Sequence, residues 1–288
     1  MNTLLEMRNL SYAYPGQALA LDQISLAIQS GQTLAVLGGN GAGKSTLFLT
    51  MNGVLTPGSG EIFWQGQRVQ APAFPACELR KKVGIVFQDP NDQLFSASIV
   101  DDIAFGLLNQ GLPEALVSSK VANVIKQLGI GDFAHKPTHA LSFGQKKRVA
   151  LAGVLAMEPK VVILDEPTAG LDPKGITEMF TLLDQLKTTA GITLVLATHD
   201  IDLVALHCDD AVVLDHGQMV FSGQVTSLMS QAELLRRHSL RLPRIAHLME
   251  ILADCNGLPV DRLAATISKA RRSLVRAYQP DPEAGDGQ

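Results

Sequence analysis

A mixed α/β fold follows from three features of this 288-residue chain. Short apolar runs with the length and composition of buried strands occur at Thr33–Leu37, Val83-Gly84-Ile85-Val86-Phe87, Val161-Val162-Ile163-Leu164 and Thr193–Ala197, and polar residues or glycines follow each. The stretch Gly38-Gly39-Asn40-Gly41-Ala42-Gly43-Lys44-Ser45-Thr46 lies between the first of these runs and a helix-compatible segment, residues 47–54. Residues from about 89 to 156 carry apolar side chains mainly at helical spacing.

The glycine-rich stretch has every fixed position of the pattern G-x-x-x-x-G-K-[ST], set between a strand and a helix. Its chemistry requires those residue types. Glycines let backbone N–H groups turn inward as an anion nest, and the following helix N-terminus adds unsatisfied donors. Lys44 reaches β- and γ-phosphates, and the Ser45 hydroxyl suits Mg²⁺.

Composition narrows the class. With 46% hydrophobic and 18% charged residues the chain is globular, with core enough for one or two domains. A net charge of −4 argues against nucleic acid as a partner. Cys77, Cys208 and Cys255 are odd in number and widely spaced, which suits a reducing cytoplasm better than a disulfide framework or a metal site. The start, Met-Asn-Thr-Leu-Leu-Glu, lacks the blocks of a signal peptide, and no apolar run has the length that spans a bilayer. Work at a membrane would therefore need a spanning partner.

Taken in order, residues 4–10 and 24–28 read as strands, broken by Pro15-Gly16 and Ser30-Gly31. Tyr12 and Tyr14 precede the first breaker, where an aromatic either stacks on a base or packs as an ordinary strand tyrosine. After Pro57-Gly58-Ser59-Gly60, a hairpin is expected through residues 61–64 and 68–69, and residues 71–76 read as an exposed connection. Gln88 leaves a strand where its amide could bond a metal-bound water or merely satisfy a loop. Ser98 with Asp101 matches a capping box ahead of Ile99, Ile103 and Leu107, and a further amphipathic helix is expected between Glu114 and Gly131.

Ser142 and Gly144 of Leu141-Ser142-Phe143-Gly144-Gln145 stand ahead of a helix expected from Lys146 to Met157, a second potential anion site. Lys146, Lys147 and Arg148 read as its solvated face. The strand ending on Asp165 and Glu166 delivers one carboxylate suited to Mg²⁺ and another suited to orienting or deprotonating a water. Asp172 lies in the turn that follows, and His199 ends the next strand as a candidate γ-phosphate contact. Residues 211–214 and 219–221 read as closing strands. Two helices are expected at 244–254 and 260–277, with apolar faces of Ile245, Leu248, Met249 and Leu252, then Leu263, Ile267 and Leu274. Lys269, Arg271, Arg272 and Arg276 form a solvated face or meet anionic lipid headgroups.

In this order the motifs resemble those of the ATP-binding-cassette (ABC) ATPases across residues 1 to about 230. Tyr14 is similar to the aromatic loop, Gly38 to Thr46 to Walker A, and Gln88 to the glutamine loop. Leu141 to Gln145 is similar to the signature, Val161 to Glu166 to Walker B, Asp172 to the aspartate loop and His199 to the switch histidine. Gly39 stands where the loop often has proline, and Phe143 where the signature often has glycine; no ligand group is lost. Phe87-Gln88-Asp89-Pro90-Asn91-Asp92-Gln93-Leu94-Phe95 and Asp101-Asp102-Ile103-Ala104-Phe105-Gly106 look like the ATPase of energy-coupling factor importers. Leu240-Arg241-Leu242-Pro243 and the helices after it look like the extension of the cobalt and nickel members.

The resemblance implies a P-loop ABC fold: a cassette over residues 1–231 with a small antiparallel β subdomain and a helical signature subdomain at about 89–156, a helical extension at 232–278, and a disordered tail at 279–288. It implies ATP and Mg²⁺ as cofactors. Catalytic positions would be Glu166, His199, Gln88 and Lys44, and the metal would be held by Ser45, Gln88 and Asp165. Nucleotide would contact Tyr14, Gly38, Gly39, Asn40, Gly41, Ala42, Gly43, Lys44, Ser45 and Thr46, with Ser142, Phe143, Gly144, Gln145 and Asp172 completing the cage. Those last five would come from a second copy in a head-to-tail homodimer.

A transmembrane coupling protein would dock near residues 93–102, with Leu94, Phe95 and Ile99 as apolar contacts, and a substrate-specific membrane subunit would engage indirectly. The expected setting is peripheral, at the cytoplasmic face of the cell membrane. The expected activity is ATP hydrolysis that energises import, of cobalt or nickel ions first and of a vitamin as the alternative. A soluble ABC ATPase without a transport role is the competing reading, disfavoured by a single phosphate loop and the absence of net basic charge.

Overall fold

The computed structural model describes residues 2–70 and 74–278. The strands are β1 (Thr3–Ala13), β2 (Leu19–Gln29), β3 (Thr33–Leu37), β4 (Ser59–Trp64), β5 (Gln67–Arg68), β6 (Val83–Val86), β7 (Val161–Asp165), β8 (Thr193–Ala197), β9 (Asp210–Asp215) and β10 (Gln218–Gln224). They form two sheets. One is antiparallel, in the order β2-β1-β4-β5; the other runs β10-β9-β3-β8-β7-β6 and is parallel except for the β9–β10 edge pair. Every residue of β3 and β8 is buried, which is why those segments read as continuous apolar runs instead of alternating ones.

Helix α1 (Lys44–Met51) follows β3, and α2 (Ala76–Lys82) precedes β6. Between β6 and β7 come α3 (Ile99–Asn109), α4 (Glu114–Gln127) and α5 (Phe143–Ala156). The later helices are α6 (Pro173–Ala190), α7 (Ile201–His207), α8 (Val225–Met229), α9 (Ala232–Arg237), α10 (Arg244–Asp254) and α11 (Ile267–Tyr278).

The parallel sheet is a partition between cores. Leu34, Val36, Val161, Ile163, Val195 and Ala197 pack with α1 residues Leu47, Phe48 and Met51 and with the antiparallel sheet. On the other face Val162, Leu164, Leu194 and Leu196 pack with α3 to α6. Ala35, Leu37, Ala211 and Val213 pack with α7 to α10. This is the consequence of period two in a strand buried on both sides. The carboxyl ends of β3, β7 and β8 reach one edge together, since Val36 and Asp165 are both in register with Ala197.

Several sequence expectations need revision. β1 and β2 run several residues beyond 4–10 and 24–28, and α2 had no counterpart in the expected elements because alanine and proline mask its start. The last helix begins at Ile267, not 260. An Asx turn, in which Leu263 N donates to Asp261 Oδ1 at 2.9 Å, bends the chain first. Leu248, Leu263 and Ile267 are therefore exposed, while Met249 is buried and Ile245, Leu252 and Leu274 pack against it. The expected tail at 279–288 and residues 71–73 of the 71–76 connection lie outside the described residues; of the rest, Phe74 is buried and Ala76 begins α2, so that part is no exposed connection.

Helix α5 lies close against β6: a Cβ at Gly84 would overlap Val154 Cγ1. Overpacking of this kind costs about 1–3 kcal/mol. Gly84→Ala should lower unfolding stability by that amount in urea titration, with the slope unchanged.

Candidate functional site

The phosphate-loop geometry rests on two glycines in the left-handed region. Gly38 has φ 148°, and a Cβ there would collide with the Leu214 carbonyl oxygen. Gly43, at φ 104°, is the residue before α1, where a Cβ would stand 2.6 Å from the Ala20 carbonyl oxygen. No side chain caps α1, so its first-turn N–H groups point outward as anion donors. Lys44 Nζ donates to the carbonyl oxygens of Gly38 and Gly39 at 2.7 and 2.9 Å. The ammonium is thereby folded back over the loop at the place where phosphate oxygens would replace those carbonyls.

Opposite the loop, β7 presents Asp165 and the chain continues into Glu166. Burial is the main force raising the Asp165 carboxyl above its ordinary range, with the negative Glu166 adding to it; Lys44 and a hydrogen bond with Ser45 pull the other way. Glu166 is buried, and its Oε1 lies 2.8 Å from His199 Nδ1. The His199 side chain is itself 80% exposed, so it has open space around it that the buried carboxylate lacks. Glu166 also has φ 46°, unusual for a side-chain-bearing residue.

These groups line one open cavity of about 810 Å³, formed by Tyr14, Gln17, Ala20, residues 38–46, Gln88, Asp165, Glu166 and His199. The Tyr14 hydroxyl lies 3.3 Å from Thr46 Oγ1, and its ring meets Tyr12 edge-on at 5.0 Å between centroids. Gln17 and Ala20 were not singled out from the sequence; Gln17 lies in the β1–β2 turn and Ala20 at the start of β2, and only the chain's return over the loop brings them in.

The donors near Asp165 suit magnesium. The Ser45 hydroxyl, the Asp165 carboxylate and the Gln88 amide all offer oxygen, the atom this hard cation takes. Among the described residues no three His, Cys, Asp or Glu side chains gather to hold an ion by themselves, as expected where phosphates and water complete the coordination.

Ser142, Phe143, Gly144, Gln145 and Asp172 do not line this cavity. Ser142 caps α5 in a reciprocal box: Gln145 N donates to Ser142 Oγ at 3.3 Å and Ser142 N donates to Gln145 Oε1 at 3.0 Å. The S-x-x-Q spacing carries that signal in the sequence. Asp172 likewise caps α6, accepting from Gly175 N at 2.7 Å. Lys147 is a correction. Expected on a solvated face, it is 2% exposed, and burial draws its ammonium down to about 8.

Comparison with known proteins bears on the family of the chain. The family model described as ABC transporter matches residues 21–169. The chain is similar to the energy-coupling factor transporter ATP-binding protein EcfA2 of Clostridium perfringens, at 48% identity over 94% of this chain and 95% of that one. It is 43% identical to the EcfA protein of Methanocaldococcus jannaschii, over 94% of this chain and 97% of the relative. Among solved structures it is similar to CbiO1 of Clostridium perfringens, described as part of the ABC transporter complex CbiONQ. That likeness has 48% identity and a TM-score of 0.74, and it covers 87% of this chain and all of the other.

The loop's glycines give a direct test of the cavity. Gly43→Ala puts a methyl group against the Ala20 carbonyl oxygen at a left-handed φ. It should weaken ATP binding at least tenfold in calorimetric titration while the far-ultraviolet circular dichroism stays unchanged.

Proposed function

The chain belongs to the ABC transporter family of ATPases, and we propose that it is the ATP-hydrolysing subunit of an energy-coupling factor importer. The observation that carries this reading is a single cavity where the phosphate loop, Asp165, Glu166 and His199 face one another. Likeness to the EcfA relatives across 94% of the chain supports the importer assignment.

In this reading the loop N–H groups and Lys44 bind the β- and γ-phosphates, and Ser45, Asp165 and Gln88 hold magnesium. Bound magnesium would neutralise charge on the phosphates. Glu166 accepts a proton from the water in line with the γ-phosphate, and His199 holds both the carboxylate and the phosphate oxygen in place. Tyr14 stacks on the adenine. Ser142, Phe143, Gly144, Gln145 and Asp172 act on the nucleotide of a second copy, arranged head to tail. None of them lines their own cavity, which supports that arrangement.

No described helix is long and apolar enough to cross a membrane, so the proposed motor sits peripherally, on the cytoplasmic face, beneath a transmembrane coupling protein. A groove of about 570 Å³ suits that partner. Phe87, Gln93, Phe105 and Met157 are among its lining residues. Phe95 stands beside it, 64% exposed, with its ring 4.6 Å from that of Phe105. Asp102 Oδ1 accepts from Phe95 N and Ser96 N, both at 3.1 Å, and shapes the loop from beneath. Ile99, expected as a contact, is fully buried, and Leu94 packs inward; the exposed aromatics take their place. Cobalt or nickel is the proposed cargo. The support is the likeness of the extension from Leu240 to that of the cobalt and nickel members and the 48% identity with CbiO1.

Glu166→Gln should cut ATP turnover at least a hundredfold while ATP binding persists within about threefold, and ATP should then drive a stable dimer in gel filtration. Undiminished hydrolysis would sink the role given to Glu166. Phe95→Ala with Phe105→Ala should leave the ATPase of the separate subunit intact yet reduce labelled cobalt or nickel uptake at least fivefold in vesicles reconstituted with the membrane subunits. Uptake of a vitamin but neither ion would overturn the cargo proposal.

A further inference from the structure

Lys147 is the least expected charge in the molecule. It lies on α5, five residues after Ser142, yet its side chain points inward beneath Glu166 and is 2% exposed. Its Nζ donates to the Glu166 carbonyl oxygen at 2.7 Å. Among the described residues it makes no ion pair at contact distance; the Glu166, Asp165 and Asp89 carboxylates act on it from farther off, and the Phe143 ring lies 5.4 Å from the ammonium. Burying a charge without a carboxylate at contact distance is costly, and an apolar residue of equal volume would serve packing better.

What the lysine touches gives it a use. Glu166 sits in a left-handed conformation, φ 46°, which persists only when its surroundings over-determine it. Its N–H donates to the Ala197 carbonyl oxygen at 3.0 Å. Its carbonyl accepts from Ala169 N at 3.1 Å and from Lys147, which fills both lone pairs. Four residues on, Gly170 is also left-handed, at φ 74°, and the Phe143 ring lies where its Cβ would be. Helix α5 therefore grips the segment from Glu166 to Gly170 at both ends, through Lys147 and Phe143.

We propose that Lys147 is a positioning residue for Glu166: its hydrogen bond to the Glu166 backbone fixes the strained turn that aims the carboxylate into the cavity. This rests on reading Glu166 as the group that accepts the water proton. Lys147 touches no reacting atom. It sets the angle at which the carboxylate leaves the backbone, and a small misplacement of a proton acceptor lowers turnover more than it lowers nucleotide affinity.

The test is steady-state ATP hydrolysis, ATP binding and thermal unfolding of the full chain. Lys147→Met keeps the volume and removes the donor; Lys147→Gln keeps a donor on a shorter side chain. The expected result is at least a tenfold fall in kcat for Lys147→Met, with KM for ATP within about twofold and Tm equal to or above wild type. Lys147→Gln should recover at least a third of the lost rate, and Lys147→Met should add no further loss to Glu166→Gln.

Wild-type turnover in Lys147→Met beside an inactive Glu166→Gln would overturn the positioning role alone. Undiminished hydrolysis in Glu166→Gln would instead overturn the reading it rests on. A Lys147→Met chain that fails to fold, or a loss that Lys147→Gln does not relieve, would make the lysine a structural residue and end the proposal.

Discussion

Register across three parallel strands is the constraint on which the rest of the molecule depends. Val36 and Asp165 both stand level with Ala197, so the end of β3, where the phosphate loop begins, and the end of β7, where the acids begin, open on the same edge. A shift of one residue in the β7–β8 pairing would turn Asp165 to the other face of the sheet. Burial on both faces forbids that shift, because Val161 and Ile163 fill one core while Val162 and Leu164 fill another. The cavity is thus placed by packing at some distance from it, and the loop glycines only shape a position already chosen.

The same reasoning explains which parts were legible in the sequence. β3, β6, β7 and β8 stand within a residue or two of their apolar runs, since a strand buried on both faces leaves no polar interruption to blur its limits. The loop and the acid pair were legible because their residue types are dictated by phosphate and metal chemistry and adjoin such strands. Gln17 and Ala20 were not, because their place in the cavity depends on a turn folding back from another sheet. Of the apolar contacts expected at the groove, Phe95 is exposed while Ile99 is buried; the apolar character of a residue does not say which side of α3 it occupies.

Lys147 shows where composition misleads and periodicity would have helped. In Lys146-Lys147-Arg148 three adjacent cations look like a solvated face, yet Lys147 is followed four and seven residues later by Leu151 and Val154, both buried. At 100° per residue those positions share a stripe. Its neighbours obey the surface reading: Lys146 bonds Asn91 Oδ1 at 2.7 Å and Arg148 pairs with Glu178. One member of a charge run was turned inward by its place on the helix. Local composition averages over that distinction.

On the proposed reading two helix N-termini meet the nucleotide phosphates, and they differ in readiness. At α1 no side chain caps the first turn, so phosphate meets backbone donors that no side chain occupies. At α5 the Ser142 hydroxyl oxygen and the Gln145 amide are engaged in their own capping box. A phosphate reaching α5 must share or displace those bonds, which lowers the net gain of that contact. On the head-to-tail reading, nucleotide therefore occupies the loop of one copy first and recruits the α5 end of the second copy more weakly. Weak recruitment is what a cycle of closing and opening requires: a contact strong enough to form around ATP, and one that the loss of a single phosphate can release. On that reading helix α5 carries the contact at its first residues and holds the Glu166 carbonyl at its fifth, so the surface that would close on one nucleotide is joined through one helix to the acid that would act on the other.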